Sequence, residues 1–435
     1  MARSRAISSV IFAAVLGAYL AVPAAAWAKK APARCNGTPA TIVGTADADE
    51  ITGTNGDDVI QAGAGDDLVD GAGGNDVICG GDGEDDLSGG DGDDSLFGSG
   101  DSDRMLGGPG NDHLRGGIGD DTMDGGIGDN VMLGASGDDT LNAEDGQDDM
   151  WGGSGADWFA GGDGDDGIFG GDGDDQVYAA GGHDDVWGGS GDDEIYGSSG
   201  ADDLLGGSGD DLISGDGDND DISGGADDDT VDAGDGNDSV DAGSGDDEVD
   251  GFTGHDAILG GSGRDLLFGG PDDDEIHGDE GNDELFGGSG ADTLVGDEGD
   301  DDLVGGDGED SQRGGSGDDT ILGDAVDGFL YGGDGDDQLF GGDEMIGGSG
   351  DDVLNGTDGA DQLWGGDGAD LIGGFEGDDV LFGQDGDDNV QGGLGDDDLL
   401  GGSGDDVLIG GDGTDLTDGG GDTDSCDGES QPNCP

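Results

Sequence analysis

The sequence predicts an all-β fold, a parallel solenoid of about 21 coils with two nine-residue repeats in each coil. One observation is the period itself, which holds phase over 33 copies from Gly44 to Phe340 and over nine more from Gly347 to Asp427. Another is its register: the sixth place is Asp in all 42 full copies except at Asn130 and Gly328. The eighth place is aliphatic, Met, Phe or Cys in all but Gln312 and Thr417. The segment GGSGDDEIYGSSGADDLLGGSGDDLIS, residues 188–214, shows three copies in succession. A self-similar period of this length is the signature of a repeat architecture.

Each place has a physical reading. Glycine dominates places one, two and four, where positive φ or close chain approach would penalise a side chain. Where the fourth place departs from glycine it is often Asp, as at Asp47, Asp101, Asp218, Asp227 and Asp272, a residue that tolerates the left-handed region. Places one to six therefore read as a turn. Places seven to nine, such as Glu194 to Tyr196, read as a short strand with the eighth side chain inward and its neighbours outward, because side chains alternate along a strand. The six-residue fragment GGDEMI, residues 341–346, reads as a copy lacking its third to fifth places.

The domain plan that follows is a signal peptide over 1–28, a lead-in over 29–43, a repeat array over 44–340, a register break at 341–346, a second array over 347–427 and a tail over 428–435. Arg3 and Arg5 precede an apolar run from Ile7 to Val22, and small residues follow from Ala24 to Ala28. This is the pattern of a secretory signal cut after Ala26 or Ala28. The run is too short, and too soon followed by small residues, for a membrane anchor. The expected location is extracellular, in solution or at a cell surface. Cysteine use agrees with an oxidising compartment. Cys35, Cys79, Cys426 and Cys434 allow three connectivities. Sequence distance favours Cys35 with Cys79 and Cys426 with Cys434, each pair stapling one end, with free thiols or a metal–thiolate site as the alternative.

Asp and Glu number 112 against nine Lys and Arg, for a formal net charge of -103. Such a surface repels phosphate, which excludes nucleic acid as a partner. Sixth-place carboxylates on neighbouring coils would stack about 4.8 Å apart, the spacing of parallel strands, so a cation is required between the turns. Hard cations that take six to eight oxygens from carboxylates and carbonyls in flexible geometry are best represented by calcium; magnesium demands a stricter shell. Zinc and copper want His or Cys, and the four His are scattered. Copies two apart along the chain would complete one shell. Without the signal the charge becomes -105, and divalent ions at roughly 40 sites would return about +80.

The phrases GGDGDDSLF at residues 89–97 and GGSGDDVLI at residues 401–409 resemble the RTX, or haemolysin-type, calcium-binding nonapeptide, and the resemblance spans nearly all of residues 44–427. It implies a right-handed parallel β-roll with calcium in two rows of turns, held by turn carbonyls and by the sixth-place carboxylates. In this chain these are Asp49, Asp58, Asp67, Asp76, Asp85, Asp94, Asp103, Asp112, Asp121, Asp139, Asp148, Asp157, Asp166, Asp175, Asp184, Asp193, Asp202, Asp211, Asp220 and Asp229, continued by Asp238, Asp247, Asp256, Asp265, Asp274, Asp283, Asp292, Asp301, Asp310, Asp319, Asp337, Asp352, Asp361, Asp370, Asp379, Asp388, Asp397, Asp406 and Asp415. RTX toxins and proteases usually carry a separate effector domain and a C-terminal export signal. This chain is almost all repeat, so the resemblance gives no ground for carrying over their activities. A gap in one or both calcium rows is expected at residues 323–346, and a weakened site at Asn130.

No catalytic motif stands out. His113, His183, His255 and His277 form no H-E-x-x-H, no serine lies in a G-x-S-x-G elbow and no phosphate-binding loop occurs. The expectation is a non-enzyme. Trp151, Phe169 and Trp187 occupy ninth places 18 residues apart and should stack as rungs on one outer face, with Tyr178 and Tyr196 on the opposite face. Cross-rung packing is one reading of this stripe; a polysaccharide-binding surface is the other. The functional classes are thus a secreted calcium-binding scaffold, an adhesin or polysaccharide-binding module, and a carrier portion of a larger enzyme or toxin. Ice binding would want a regular Thr row, and Thr holds the second place only at Thr45, Thr54 and Thr357.

Overall fold

The computed structural model describes residues 33–324, 328–421 and 423–427. The signal peptide and the tail with Cys434 lie outside the described residues. A two-stranded antiparallel hairpin, β1 (Arg34–Cys35) and β2 (Thr38–Pro39), leads in. From β3 (Ile42–Val43) and β4 (Glu50–Thr52) onward, strands alternate between two parallel sheets, each pairing with the strand one coil away. Both sheets are open-ended, and their last strands are Leu416–Gly420 and Ser425–Asp427. The chain is a β-solenoid of about 21 turns.

The register is the 18-residue one that two nonapeptides per coil require. Ile195 faces Ile213 and Tyr178 faces Tyr196 in one sheet, and Val186 faces Leu204 in the other. The eighth-place residues form one continuous buried core, from Ile60 to Leu408, with Phe159 its largest member. Two thin columns of side chains fill the interior, and the first-place residues close it: where these are alanine, as at Ala62, Ala143 and Ala179, the methyl is fully buried. Gln312 and Thr417 occupy inward eighth places and are buried too.

Two expectations are corrected. Most strands do not stop at the ninth place. Glu194–Ser199, for example, runs through the third place of the next copy. Glycine or a small residue at places one and two, here Gly197 and Ser198, lets the extended chain continue, and paired N–H and C=O groups are less costly than free ones. Of the fourth-place aspartates, Asp101, Asp218, Asp227 and Asp272 adopt positive φ, but Asp47 does not. Its copy has Thr at the second place, and that residue rebuilds the turn, as described below.

The truncated copy shortens one coil to 15 residues without breaking either ladder. Leu330 pairs with Met345 and Leu339 with Leu354, and the 18-residue spacing resumes with Met345 opposite Leu363. Three residues are lost from the turn and none from the strand, so the inward column continues unbroken.

Candidate metal centre

Each sixth-place aspartate is held at the start of its strand, with the following eighth-place side chain anchored in the core. Nearly all of these carboxylates are buried; Asp112, Asp202 and Asp337 have no exposed surface at all. Their two oxygens have different roles. One oxygen accepts the backbone N–H of the sixth-place residue one coil earlier. Asp193 Oδ1 takes the N–H of Asp175 at 2.8 Å, Asp211 Oδ1 that of Asp193 at 2.8 Å, and so along each row. The other oxygen, Oδ2, is buried and has no hydrogen-bond partner in most copies, from Asp67 to Asp424. A buried unpaired carboxylate oxygen is expensive, and here it recurs in register along the whole molecule.

Burial accordingly pushes these carboxyls up. Asp94, Asp139, Asp175, Asp193 and Asp220 are raised to about 7, and Asp319 to about 8. Desolvation is the largest cause; the backbone N–H bond opposes it, and the carboxylates one coil away add to it. Protein groups alone leave this charge unbalanced, so a cation or a proton must balance it.

One copy shows what fits beside the unpaired oxygen. At Asn130 the amide nitrogen Nδ2 takes the place of Oδ2, and it donates to the carbonyl oxygens of Gly126 at 3.1 Å and Gly128 at 2.9 Å. These are the second and fourth places of its own turn. In an ordinary copy a carboxylate oxygen stands in place of that amide, with no protein donor to it, and the Asn130 copy marks the second- and fourth-place carbonyls as the acceptors on its other side. Positive φ at those two glycines, +125° at Gly189 and +123° at Gly191 in the copy of Asp193, belongs to the turn that presents these carbonyls. An all-oxygen, flexible, anionic donor set of this kind fits calcium better than zinc or copper. The residues present therefore fit that ion, with the sixth-place carboxylates and the second- and fourth-place carbonyls as the holding groups.

The carboxylates fall into two rows. One passes the register break intact, from Asp319 to Asp337, then over the shortened coil to Asp352 and Asp370. The other is interrupted: after Asp310 it meets Gly328 and then Asp343, which is exposed in the truncated copy, before resuming at Asp361 and Asp379. The gap thus falls in one row. Asp49 and Asp58 begin the rows, and Asp49 alone of the predicted set is only half-buried. Asp424 belongs with them but was not among the predicted ligands; it is buried, accepts the N–H of Asp406 at 3.2 Å and leaves Oδ2 unpaired. Its signal was its sixth place in the copy that ends the array.

Cys35 and Cys79 form a disulfide, and Cys426 is also disulfide-bonded. Among the aromatic residues, Trp151 and Phe169 stack 5.5 Å apart at 5°, and Phe169 meets Trp187 edge-on at 4.7 Å. Tyr178 and Tyr196 stack on the other sheet at 5.0 Å. Phe268 with Phe286 and Trp364 with Phe382 repeat the arrangement. The parallel rings cover one another's faces. A separate grouping that spacing did not reveal joins His277, Asp279 and Asp297 on an outer face, with His277 Nδ1 3.3 Å from Asp297 Oδ2.

The model of the RTX calcium-binding nonapeptide repeat matches the chain in overlapping segments from residue 43 to residue 426, with breaks only at 79 and 345. The chain belongs to the RTX calcium-binding nonapeptide repeat family. A search for relatives among curated proteins finds no match. As an RTX repeat protein, the chain is a calcium-binding protein whose repeats make up nearly all of its length.

Proposed function

We propose that this RTX repeat protein is exported and folds on calcium into a rigid extracellular or cell-surface rod, acting as a scaffold and not as an enzyme. The observation that supports this most is the double row of buried Oδ2 atoms with no protein donor. Calcium, when bound, supplies the positive charge that these oxygens lack. The chain's own residues do the rest: the carboxylates bind, the second- and fourth-place carbonyls marked by the Asn130 amide would complete the shell, and the eighth-place column keeps water out. With about 21 coils rising about 4.8 Å each, the rod is about 100 Å long. Metal binding and folding are then one event.

Calcium titration of residues 29–435, followed by circular dichroism and calorimetry, tests this reading. A steep coil-to-strand transition at roughly 0.1–1 mM, the range of extracellular modules, is expected, with several tens of ions bound. Full strand signal in excess EDTA at pH 8 would refute it. Export is tested separately by N-terminal sequencing of the protein from the culture medium, which should begin at residue 27 or 29.

Polysaccharide adhesion through Trp151, Phe169 and Trp187 is the second reading. Trp187 is 54% exposed, which favours it, but the stacked pair offers few free ring faces for a sugar. Loss of polysaccharide retention in the Trp151→Ala, Trp187→Ala double variant would raise it above the scaffold.

A further inference from the structure

Among the full copies that keep a sixth-place Asp, three differ from the others at the second place, and the difference changes what meets the carboxylate. Every second-place residue from Gly63 to Gly315 has positive φ, including the non-glycines Ala72, Glu144 and Phe252. Thr45, Thr54 and Thr357 do not. A β-branched residue is strongly penalised there, so the turn takes another path.

On that path the turn's own donors reach the sixth-place aspartate. Thr54 gives its backbone N–H to Asp58 Oδ2 at 2.8 Å and its hydroxyl at 2.9 Å. Thr45 does the same for Asp49 Oδ2, at 2.6 and 2.9 Å. Thr41 adds a hydroxyl to Asp58 Oδ1 at 3.2 Å. Neither carboxylate has a buried unpaired oxygen, and the Asp58 carboxyl is lowered, chiefly by the Thr54 hydroxyl, where most other sixth-place carboxyls are raised.

Position along the chain gives this a consequence. Thr45 and Thr54 lie in consecutive copies that make up the first coil, and the Cys35–Cys79 disulfide ties the lead-in hairpin to the second coil beneath it. Thr357 and Asn130 are isolated among coils with unpaired carboxylates and have no such staple.

We propose that the first coil is sealed by Thr45 and Thr54 in place of an ion and, stapled by the disulfide, stays folded without calcium as a seed on which the ion-dependent coils stack. This rests on the reading that the remaining coils fold on calcium. A preformed end offers the next strand a paired edge, so each ion-loaded coil adds to an existing ladder instead of having to nucleate one.

Hydrogen exchange of the full oxidised chain, read peptide by peptide in EDTA and in calcium at pH 8, tests the proposal. In EDTA, amides within residues 41–61 should exchange at least about tenfold more slowly than those of residues 150–300, the mark of a locally stable unit. The Thr45→Gly, Thr54→Gly variant restores the family's usual residue. It should lose that protection in EDTA and keep it in calcium.

No protected segment in EDTA, with full protection restored by calcium, would overturn the seed and leave the calcium reading standing. Protection of the whole chain in EDTA would overturn the calcium reading itself. Protection of 41–61 that survives both glycine substitutions and disappears only on reduction would overturn the role of the threonines.

Discussion

Asn130 suggests a perturbation whose sign depends on calcium. Consider Asp175→Asn, Asp193→Asn and Asp211→Asn together, three successive sites of one row. Each Asn keeps the Oδ1 acceptor that Asp193 offers the N–H of Asp175 at 2.8 Å. Each also gains an Nδ2 donor aimed at its own second- and fourth-place carbonyls, as Asn130 donates to Gly126 and Gly128. At roughly 0.5–1.5 kcal/mol net per hydrogen bond, two bonds at three sites stabilise this stretch by about 3–9 kcal/mol where no ion is present.

With calcium present the balance changes. At one ion per carboxylate, each site above its dissociation constant gains about 1.4 kcal/mol per tenfold rise in calcium. Removing three sites flattens the dependence by about 4 kcal/mol per decade. The assay is hydrogen exchange of peptides covering residues 166–217 across a calcium series, with residues 330–410 as the internal control. The triple variant should be better protected than the parent chain at the lowest calcium, and the two curves should cross as calcium rises. Equal calcium dependence in the two proteins, or no gain in EDTA, would refute the view that the Asn130 amide stands where an ion otherwise stands.

Acid should partly replace the ion. Burial raises the carboxyls of Asp175, Asp193 and Asp220 to about 7 in the fold, against an ordinary carboxylate value near 3.8. Protonation therefore favours the metal-free fold fully below about pH 4, and that contribution is lost as pH rises through about 7. If only ten such groups take up a proton, stability changes by about 14 kcal/mol per pH unit. Circular dichroism in EDTA should show strand signal growing from pH 7 to pH 5, with light scattering to exclude aggregation; a flat coil spectrum would contradict it. In the Cys35→Ser, Cys79→Ser variant, opening a loop with a separation of 44 residues should cost about 4 kcal/mol, seen as faster exchange in residues 34–79 with residues 150–300 unchanged. Trp151→Ala should remove about 0.5–1.5 kcal/mol of stacking on Phe169 beyond the lost area, measured as a higher calcium midpoint for residues 133–190.

The sequence by itself determined the architecture and the chemistry of the repeat. A nine-residue period with Asp at six and an aliphatic residue at eight places Ile195 above Ile213 and Asp193 above Asp211, because residues 18 apart must stack once two copies close a coil. The hard-cation reading followed from carboxylates at strand spacing, and the pairing of Cys35 with Cys79 from their distance along the chain. Tertiary structure decided what depends on the path of each turn. Spacing cannot show which carbonyls the Asn130 amide meets, since their direction is set by φ at the second and fourth places. It also cannot show that Thr45 and Thr54 turn their donors onto Asp49 and Asp58, because the same residues in a glycine-type turn would point elsewhere. The row that survives the register break was likewise hidden: it depends on the three missing residues coming out of a turn, which leaves Asp337 stacked on Asp352 while Asp343 is pushed to the surface.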